Sequence, residues 1–386
     1  MTSKKQKILV GLSGGVDSAV AAYLLKKQGH QVSAGFMKNF SNKVNLKGSC
    51  PWKEDKLEAY RVATFLKIPI QTFDFEKEYK DIVVKYLFDS YQKGLTPNPD
   101  ILCNNEIKFK LFLDKAMALG FDQIATGHYA QIRKDKNGFH LLRGKDTNKD
   151  QSYFLAGLNQ KQLAKSLFPI GEITKPEVRK LAQKIKLPNA NRPDSQGICF
   201  IGKVSLKDFL QQKIKPKKGN IVDTKGNVLG QHQGVFYYTI GQRKGIDLGQ
   251  GGPWYVVKKD VQNNVLTVSN KDQAELFTKQ IKVKNWHWIN KKYQFPLSAI
   301  AQIRYRQEPQ KVKIIISSSE VEKSKKIIIS SSKSRVSSRD ASRNLVLDRL
   351  EQEYTATFSK PQKGVAAGQI LAVYKKDELV ASAIII

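Results

Sequence analysis

A short apolar run that meets a glycine-containing turn and then a helical stretch constrains this chain more than any other feature. Lys7-Ile-Leu-Val-Gly11 reads as a buried strand. Ser13-Gly-Gly-Val-Asp-Ser18 reads as the turn. Residues 16–27 carry Val16, Val20, Tyr23 and Leu24 at helical spacing and form a helix that Gly29 ends. Two glycines let the backbone come close to a phosphate, and the start of a helix offers N–H groups to hold one. Ser13 and Ser18 add hydroxyl donors, and Asp17 supplies a carboxylate for Mg²⁺ beside the phosphates. The Gly-Lys-Ser/Thr ending of a Walker A loop is absent.

The alternation continues. Val32 to Met37 predicts a strand, 53–66 a helix, 69–75 a strand, 77–92 and 106–119 helices, and 122–126 a further strand. This order predicts an α/β fold, a doubly wound parallel sheet with helices on both faces and ligands beyond the carboxyl ends of its strands. From about residue 205 the pattern changes to short strands between turn signals. Trp254–Val257 and Val265–Val268 flank Asn263-Asn264, and Ile281–Val283, Ala301–Tyr305 and Gln369–Tyr374 follow. We therefore expect three parts: a catalytic domain over 1–208, a small central domain over 209–276 and a C-terminal β-barrel over 277–386. Residues 317–345, rich in Ser, Lys and Arg, read as an insertion in a barrel loop.

Charge narrows the partner. Lys and Arg number 66 against 34 Asp and Glu, a net +32, which suits a polyanion such as nucleic acid. No apolar run is long enough to span a membrane, and Met1 to Val10 carries no signal or transit pattern, so a cytoplasmic protein is expected. Three cysteines argue against a disulfide-stapled fold, and with five scattered histidines against a closed zinc site. No surplus apolar surface is visible in the pattern, so a monomer is expected.

Two further motifs carry chemistry. In Thr96-Pro-Asn-Pro-Asp-Ile-Leu-Cys103, two prolines stiffen a loop ahead of Asp100 and Cys103. A helix following Cys103 favours its thiolate, and Asp100 stands close enough for acid–base work. In Asp194-Ser-Gln-Gly-Ile-Cys199, a polar loop holds a second cysteine. Two loop cysteines outside any disulfide framework suit sulfur carriage by one and thiol exchange by the other. Cys50 receives no role.

The turn at Ser13 to Ser18 resembles the pyrophosphate-binding loop of the N-type ATP pyrophosphatases, which adenylate a carbonyl oxygen. All three motifs together resemble the bacterial tRNA-specific 2-thiouridylases. Matching strings are Ala125-Thr-Gly-His-Tyr129, Asn148-Lys-Asp-Gln-Ser-Tyr-Phe154, Leu167-Phe-Pro-Ile-Gly171, Tyr238-Thr-Ile-Gly-Gln-Arg-Lys-Gly245 and Ile303-Arg-Tyr-Arg-Gln307. The resemblance implies ATP with Mg²⁺ as cofactors, tRNA as substrate and a persulfide donor, a cysteine desulfurase or sulfur-relay protein, as partner. It implies that Gly11, Leu12, Ser13, Gly14, Gly15, Val16, Asp17 and Ser18 bind the ATP phosphates, and that Met37 and Gly127 line adenine and ribose. It implies sulfur on Cys199, a transient disulfide between Cys103 and Cys199, and proton transfer by Asp100. Asn98, Pro99 and Asp100 match positions at the target base. His128, Lys149, Asp150, Gln151, Arg304, Tyr305, Arg306 and Gln369 match positions that touch tRNA. The chain departs from the family pattern in the 317–345 insertion and in its last residues, Val380 to Ile386. The alternatives are another AMP-forming pyrophosphatase and a catalytically inactive tRNA-binding protein.

Overall fold

The computed structural model describes residues 5–41, 52–194, 205–246, 248–249, 252–270, 274–317 and 352–386. Cys50, Cys199 and the body of the 317–345 insertion lie outside the described residues. The chain divides into two compact units. The first comprises Met1–Leu87, Pro99–Lys213 and Asp377–Val380; the second comprises Phe88–Asn98, Ile214–Lys376 and Ala381–Ile386.

The first unit is built on a parallel sheet, as the βα alternation predicts. Its strands are β1 (Lys7–Gly11), β2 (Gln31–Lys38), β3 (Ile70–Asp74), β4 (Gln123–Ala125) and β7 (Ser166–Leu167), in the order β3-β2-β1-β4-β7. All four pairings are parallel. Strand order reverses direction between β1 and β4, so the crevice at their carboxyl ends is where such a sheet takes a ligand. The helix Val16–Lys27 buries Val16, Ala19, Val20, Ala21, Ala22 and Leu25, whereas Tyr23 and Leu24 stay only partly covered. Of the residues at helical spacing, Val16 and Val20 are buried, and Tyr23 and Leu24 pack against the core from its margin. The alanines face inward as well, because the helix is packed by the sheet on one side and by the helices Trp52–Leu66 and Lys175–Lys184 on others. Small side chains allow that close approach from several directions.

The unit also contains an antiparallel hairpin absent from the sequence expectation, β5 (Ala130–Asp135) and β6 (Gly138–Arg143). Glu378 and Leu379 pair beside it with Leu142 and Leu141. Here His140 lies between two carboxylates, Nε2 at 2.9 Å from Asp135 and Nδ1 at 2.8 Å from Glu378. Burial alone would push its pKa down, but the two carboxylates outweigh that and raise it. A raised folded-state pKa stabilises the fold fully below the unfolded value and loses that contribution as pH rises through the folded one. Urea denaturation of the wild type and His140→Gln will therefore differ by about 1–2 kcal/mol at mildly acidic pH, and the gap will close as pH is raised. A gap independent of pH would remove charge from the account.

In the second unit, β8 (Gly219–Val222), β9 (Val228–His232), β10 (Trp254–Asp260) and β11 (Val265–Asn270) form a sheet ordered β10-β11-β8-β9. Ile221, Val235, Tyr238, Val256, Leu266 and Val268 are its core. The strands β12 (Phe277–Trp288), β13 (Leu297–Gln302), β14 (Gln310–Ile316), β15 (Tyr354–Lys363), β16 (Ile370–Lys375) and β17 (Glu378–Ile385) run β12-β15-β14-β13-β16-β17. The pairing of Val283 with Ile385 and of Lys284 with Ile384 closes them into a six-stranded barrel. Closure pairs the first and last strands of this run with each other. The atypical C-terminal residues thus serve as the closing strand. Trp286 packs on Trp288, Phe295 and Tyr354, with centroids at 5.3, 5.3 and 5.0 Å. One strand is shorter than expected: β13 ends at Gln302, so Arg304, Tyr305 and Arg306 occupy the turn before β14, where Arg306 adopts φ +61.

Candidate active site

Within the first unit, the loop between β1 and the helix Val16–Lys27 gathers the residues singled out for phosphate binding. Gly11 ends β1, and Leu12 donates its N–H to the Gly35 carbonyl at 3.0 Å. Gly14 has φ +79, a conformation that favours glycine. The N–H of Ser13 donates to Ser18 Oγ at 3.2 Å, and Ser18 Oγ donates to the Gly15 carbonyl at 3.0 Å, so the loop is cross-tied on itself. Val16, Asp17 and Ser18 form the first helical turn, where the macrodipole favours an anion. Met37, on β2, brings its Cε against Gly11, and Gly127, after β4, abuts the backbone of Asp17 and Ser18. The predicted cluster is therefore assembled at the carboxyl ends of β1, β2 and β4.

Several residues that hold this loop were not visible as site residues in the sequence. The Gly14 carbonyl accepts from Asn189 Nδ2 at 2.9 Å and from Arg192 at 3.1 Å, and Arg192 pairs with Asp55. Asp17 Oδ1 accepts from the Tyr129 hydroxyl at 2.8 Å and from Lys175 Nζ at 2.6 Å. Lys175 also reaches Asp194 at 2.8 Å. Asp194, which opens the second cysteine motif, is held further by Lys149 at 2.6 Å and Arg179 at 2.6 Å. Burial works to raise the Asp194 pKa, but Lys149 and Lys175 dominate and hold it well below the ordinary carboxylate range. Burial first, then the Asp17 carboxylate, keep the Tyr129 phenol protonated as a donor. The signal for Lys175 was present in Thr174-Lys-Pro-Glu177, a capping box that starts the helix Lys175–Lys184. Only the fold reveals that this helix start faces Asp17.

The first cysteine motif differs from expectation. Helix begins at Pro99, and Cys103 opens a π-helical stretch, Cys103–Phe112, that runs into Leu113–Ala118. Cys103 is thus one turn inside a helix and buried, not in a loop ahead of one. The cause lies in the motif itself: proline is favoured at the first helical position, so Pro99 starts the helix instead of delaying it. The N-terminal dipole therefore acts first on Asp100. Asp100 and Cys103, three residues apart, share a helix face. Burial raises the Asp100 pKa against the opposing pull of Lys108.

His128 Nδ1 lies 2.8 Å from Thr126 Oγ1, and its ring packs against Phe109 and Phe168 at 5.8 and 5.9 Å. Burial, aided by Lys108, pushes its pKa well below the ordinary value, so the imidazole is neutral. Asp150 is committed internally: it pairs with Arg143 at 2.8 Å and accepts from the N–H groups of Gly144 and Ser152. Gln151 accepts the Tyr129 N–H at 3.0 Å. In the second unit, Gln369 donates to the carbonyls of Thr96 and Pro97 at 2.8 and 3.3 Å, and the Thr96 N–H donates to Ala367 at 2.8 Å. Gln369 thereby fixes the segment that ends in Asn98. Among the described residues no group of three or more metal-ligating side chains occurs. At the phosphate loop Asp17 offers a carboxylate, held through Oδ1 by Tyr129 and Lys175, and one such ligand fits a Mg²⁺ bound mainly through substrate phosphates.

A parallel sheet with a glycine-rich loop at its switch point defines the class of nucleotide-binding α/β domains. Accordingly, residues 6–203 match the family model of a tRNA methyl transferase HUP domain, 207–270 that of a tRNA methyl transferase PRC-barrel domain, and 322–385 that of an aminomethyltransferase β-barrel domain. The chain is 46% identical to the tRNA-specific 2-thiouridylase MnmA 1 of Geobacillus kaustophilus, over 99% of this chain and 96% of that one. It is 40% identical to the tRNA-specific 2-thiouridylase MnmA of Flavobacterium johnsoniae, over 98% and 100%. It is also 40% identical to that of Pediococcus pentosaceus, over 99% and 96%. The chain belongs to the tRNA-specific 2-thiouridylase family. No helix among the described residues is long and apolar enough to cross a membrane.

Proposed function

We propose that this protein is a tRNA-uridine 2-sulfurtransferase that converts the wobble uridine, position 34, of the lysine, glutamate and glutamine tRNAs to 2-thiouridine. The observation that carries this reading is the 46% identity across nearly the whole chain to a tRNA-specific 2-thiouridylase. The uridine O2 attacks the α-phosphorus of ATP and pyrophosphate leaves. The loop Gly11–Ser18 and Lys175 hold the phosphates, and Met37 and Gly127 border the nucleoside. Mg²⁺, held by Asp17 with the phosphates, supplies charge neutralisation when bound. Cys199 carries sulfur as a persulfide taken from a donor protein. Its terminal sulfur attacks C2 and AMP leaves. The Cys103 thiolate then attacks the Cys199 sulfur, which forms the Cys103–Cys199 disulfide and releases the 2-thiouridine thiolate; an external dithiol reduces the disulfide. Asp100 relays the proton. Asn98 and Pro99 border the flipped base. His128, Lys149, Arg304, Tyr305 and Arg306 contact the tRNA, with Asp150, Gln151 and Gln369 shaping those contacts. The reading includes a cytoplasmic monomer.

The decisive experiment combines the protein, ATP with Mg²⁺, a persulfide source and unmodified tRNA, followed by digestion and mass detection of 2-thiouridine. Product that requires ATP and is lost in Cys199→Ser is expected. Bound tRNA without product would favour an inactive binding protein, and pyrophosphate release without tRNA would indicate another acceptor. Lys175→Met tests the phosphate site. Removing one charged donor from such a site costs about 10²–10³ in rate, so pyrophosphate release is expected to fall by that factor while tRNA binding is retained. Unchanged release would take Lys175 out of the site.

A further inference from the structure

The outer wall of the barrel carries a groove of about 630 Å³ across β13, β14, β15 and β16. Lys311, Lys313, Lys375 and Lys376 line it, together with the hydroxyl side chains of Ser298, Thr357 and Ser359, and no carboxylate does. Lys311 and Lys313 are both exposed and project from the same face of β14. A second groove, of about 430 Å³, is lined by Arg304, Arg306, Lys360 and Lys363 with one carboxylate, Glu308. The linings of the two grooves are neighbours in the chain only, at Gln310–Lys311 and Ser359–Lys360. Together the two grooves carry eight cationic side chains against one carboxylate.

We propose that the groove at the Lys311–Lys313 face is a binding surface for the phosphate backbone of the substrate tRNA, beyond the contacts at Arg304 to Arg306. The proposal rests on the tRNA reading above. Charge complementarity selects the occupant. Ammonium groups beside hydroxyl donors, without a carboxylate to orient a partner's cations, suit a repeating row of phosphates. An acidic protein surface is the competing occupant. Phosphate neutralisation releases counterions, so each lost contact lowers the steepness of the salt dependence.

The test compares the full-length wild type with Lys311→Gln/Lys313→Gln in tRNA binding from 50 to 250 mM KCl. Lys279→Gln/Lys284→Gln on β12 removes equal charge outside the groove. Both pairs are exposed, and a thermal melt confirms that each variant is folded. The groove variant is expected to lower the slope of log affinity against log salt by about 1.4–1.8 and to bind about tenfold more weakly at 0.1 M salt. Its kcat at saturating tRNA should equal the wild-type value while KM for tRNA rises. A slope unchanged from wild type, or lowered equally by the β12 pair, would overturn the proposal. An unchanged slope with weakened binding of the persulfide donor would assign the face to a protein and equally overturn it. If the wild type itself binds no tRNA, the sulfurtransferase reading fails first, which separates the two outcomes.

Discussion

Cys103→Ser will stop multiple-turnover formation of 2-thiouridine while leaving ATP-dependent pyrophosphate release in place. The side chain lies 5% exposed at the start of the π-helical stretch Cys103–Phe112. Such stretches widen the backbone and recur at functional sites. Asp100 sits one turn earlier with its pKa raised by burial. Serine keeps the size and the helix but has no thiolate, so the mixed disulfide between base sulfur and Cys199 cannot be resolved. Loss of a nucleophile of this kind lowers turnover by about 10³-fold or more. The mutant should accumulate tRNA covalently attached through Cys199, visible as a shifted band that a reducing agent releases. Full turnover in Cys103→Ser with a normal melting temperature would assign product release to free sulfide and leave Cys103 a core residue.

The prediction also marks how far the sequence could be read. The strand-turn-helix junction at Lys7 to Lys27 was legible because its signals are local: an apolar run, two glycines and a helical repeat. Around Cys103 the two prolines suggest a loop, whereas Pro99 starts a helix. The β5–β6 hairpin escaped notice although Asn137-Gly138 is a strong hairpin signal, since the polar run around it masked the strand alternation. Lys175, Tyr129, Asn189 and Arg192 were invisible as site residues for another reason. Each meets the phosphate loop across more than a hundred residues of chain, from 112 for the Tyr129–Asp17 contact to 178 for Arg192–Gly14. No local pattern encodes such a meeting. The chemistry-bearing motifs were therefore readable, and the side chains that hold them in register were not.

Gly127 shows what that register demands, and Gly127→Ala is expected to impair nucleotide use through a single added methyl. A Cβ there would lie 2.6 Å from the Ser18 nitrogen, 2.7 Å from the Asp17 carbonyl carbon and 3.0 Å from Ser18 Cα. All three atoms are backbone, in the first turn of a helix fixed by the sheet behind it, so no side-chain rotation relieves the contact. Either β4 or the phosphate loop must move. Overpacking of this kind costs about 1–3 kcal/mol of stability. The larger effect falls on function, because displacing the Asp17–Ser18 turn misaims the N–H groups and the Asp17 carboxylate toward the phosphates. A misplacement of about 1 Å costs on the order of 10²-fold in rate. We expect KM for ATP to rise and pyrophosphate release to fall by that order, with tRNA affinity unaltered. Gly157→Ala, whose added methyl would meet its nearest side-chain neighbour at an ordinary 3.4 Å, is the matched control and should retain near wild-type ATP use. An unchanged KM for ATP in Gly127→Ala would mean that the turn yields without cost, and that nucleotide binding does not depend on the contact between the end of β4 and the start of the helix.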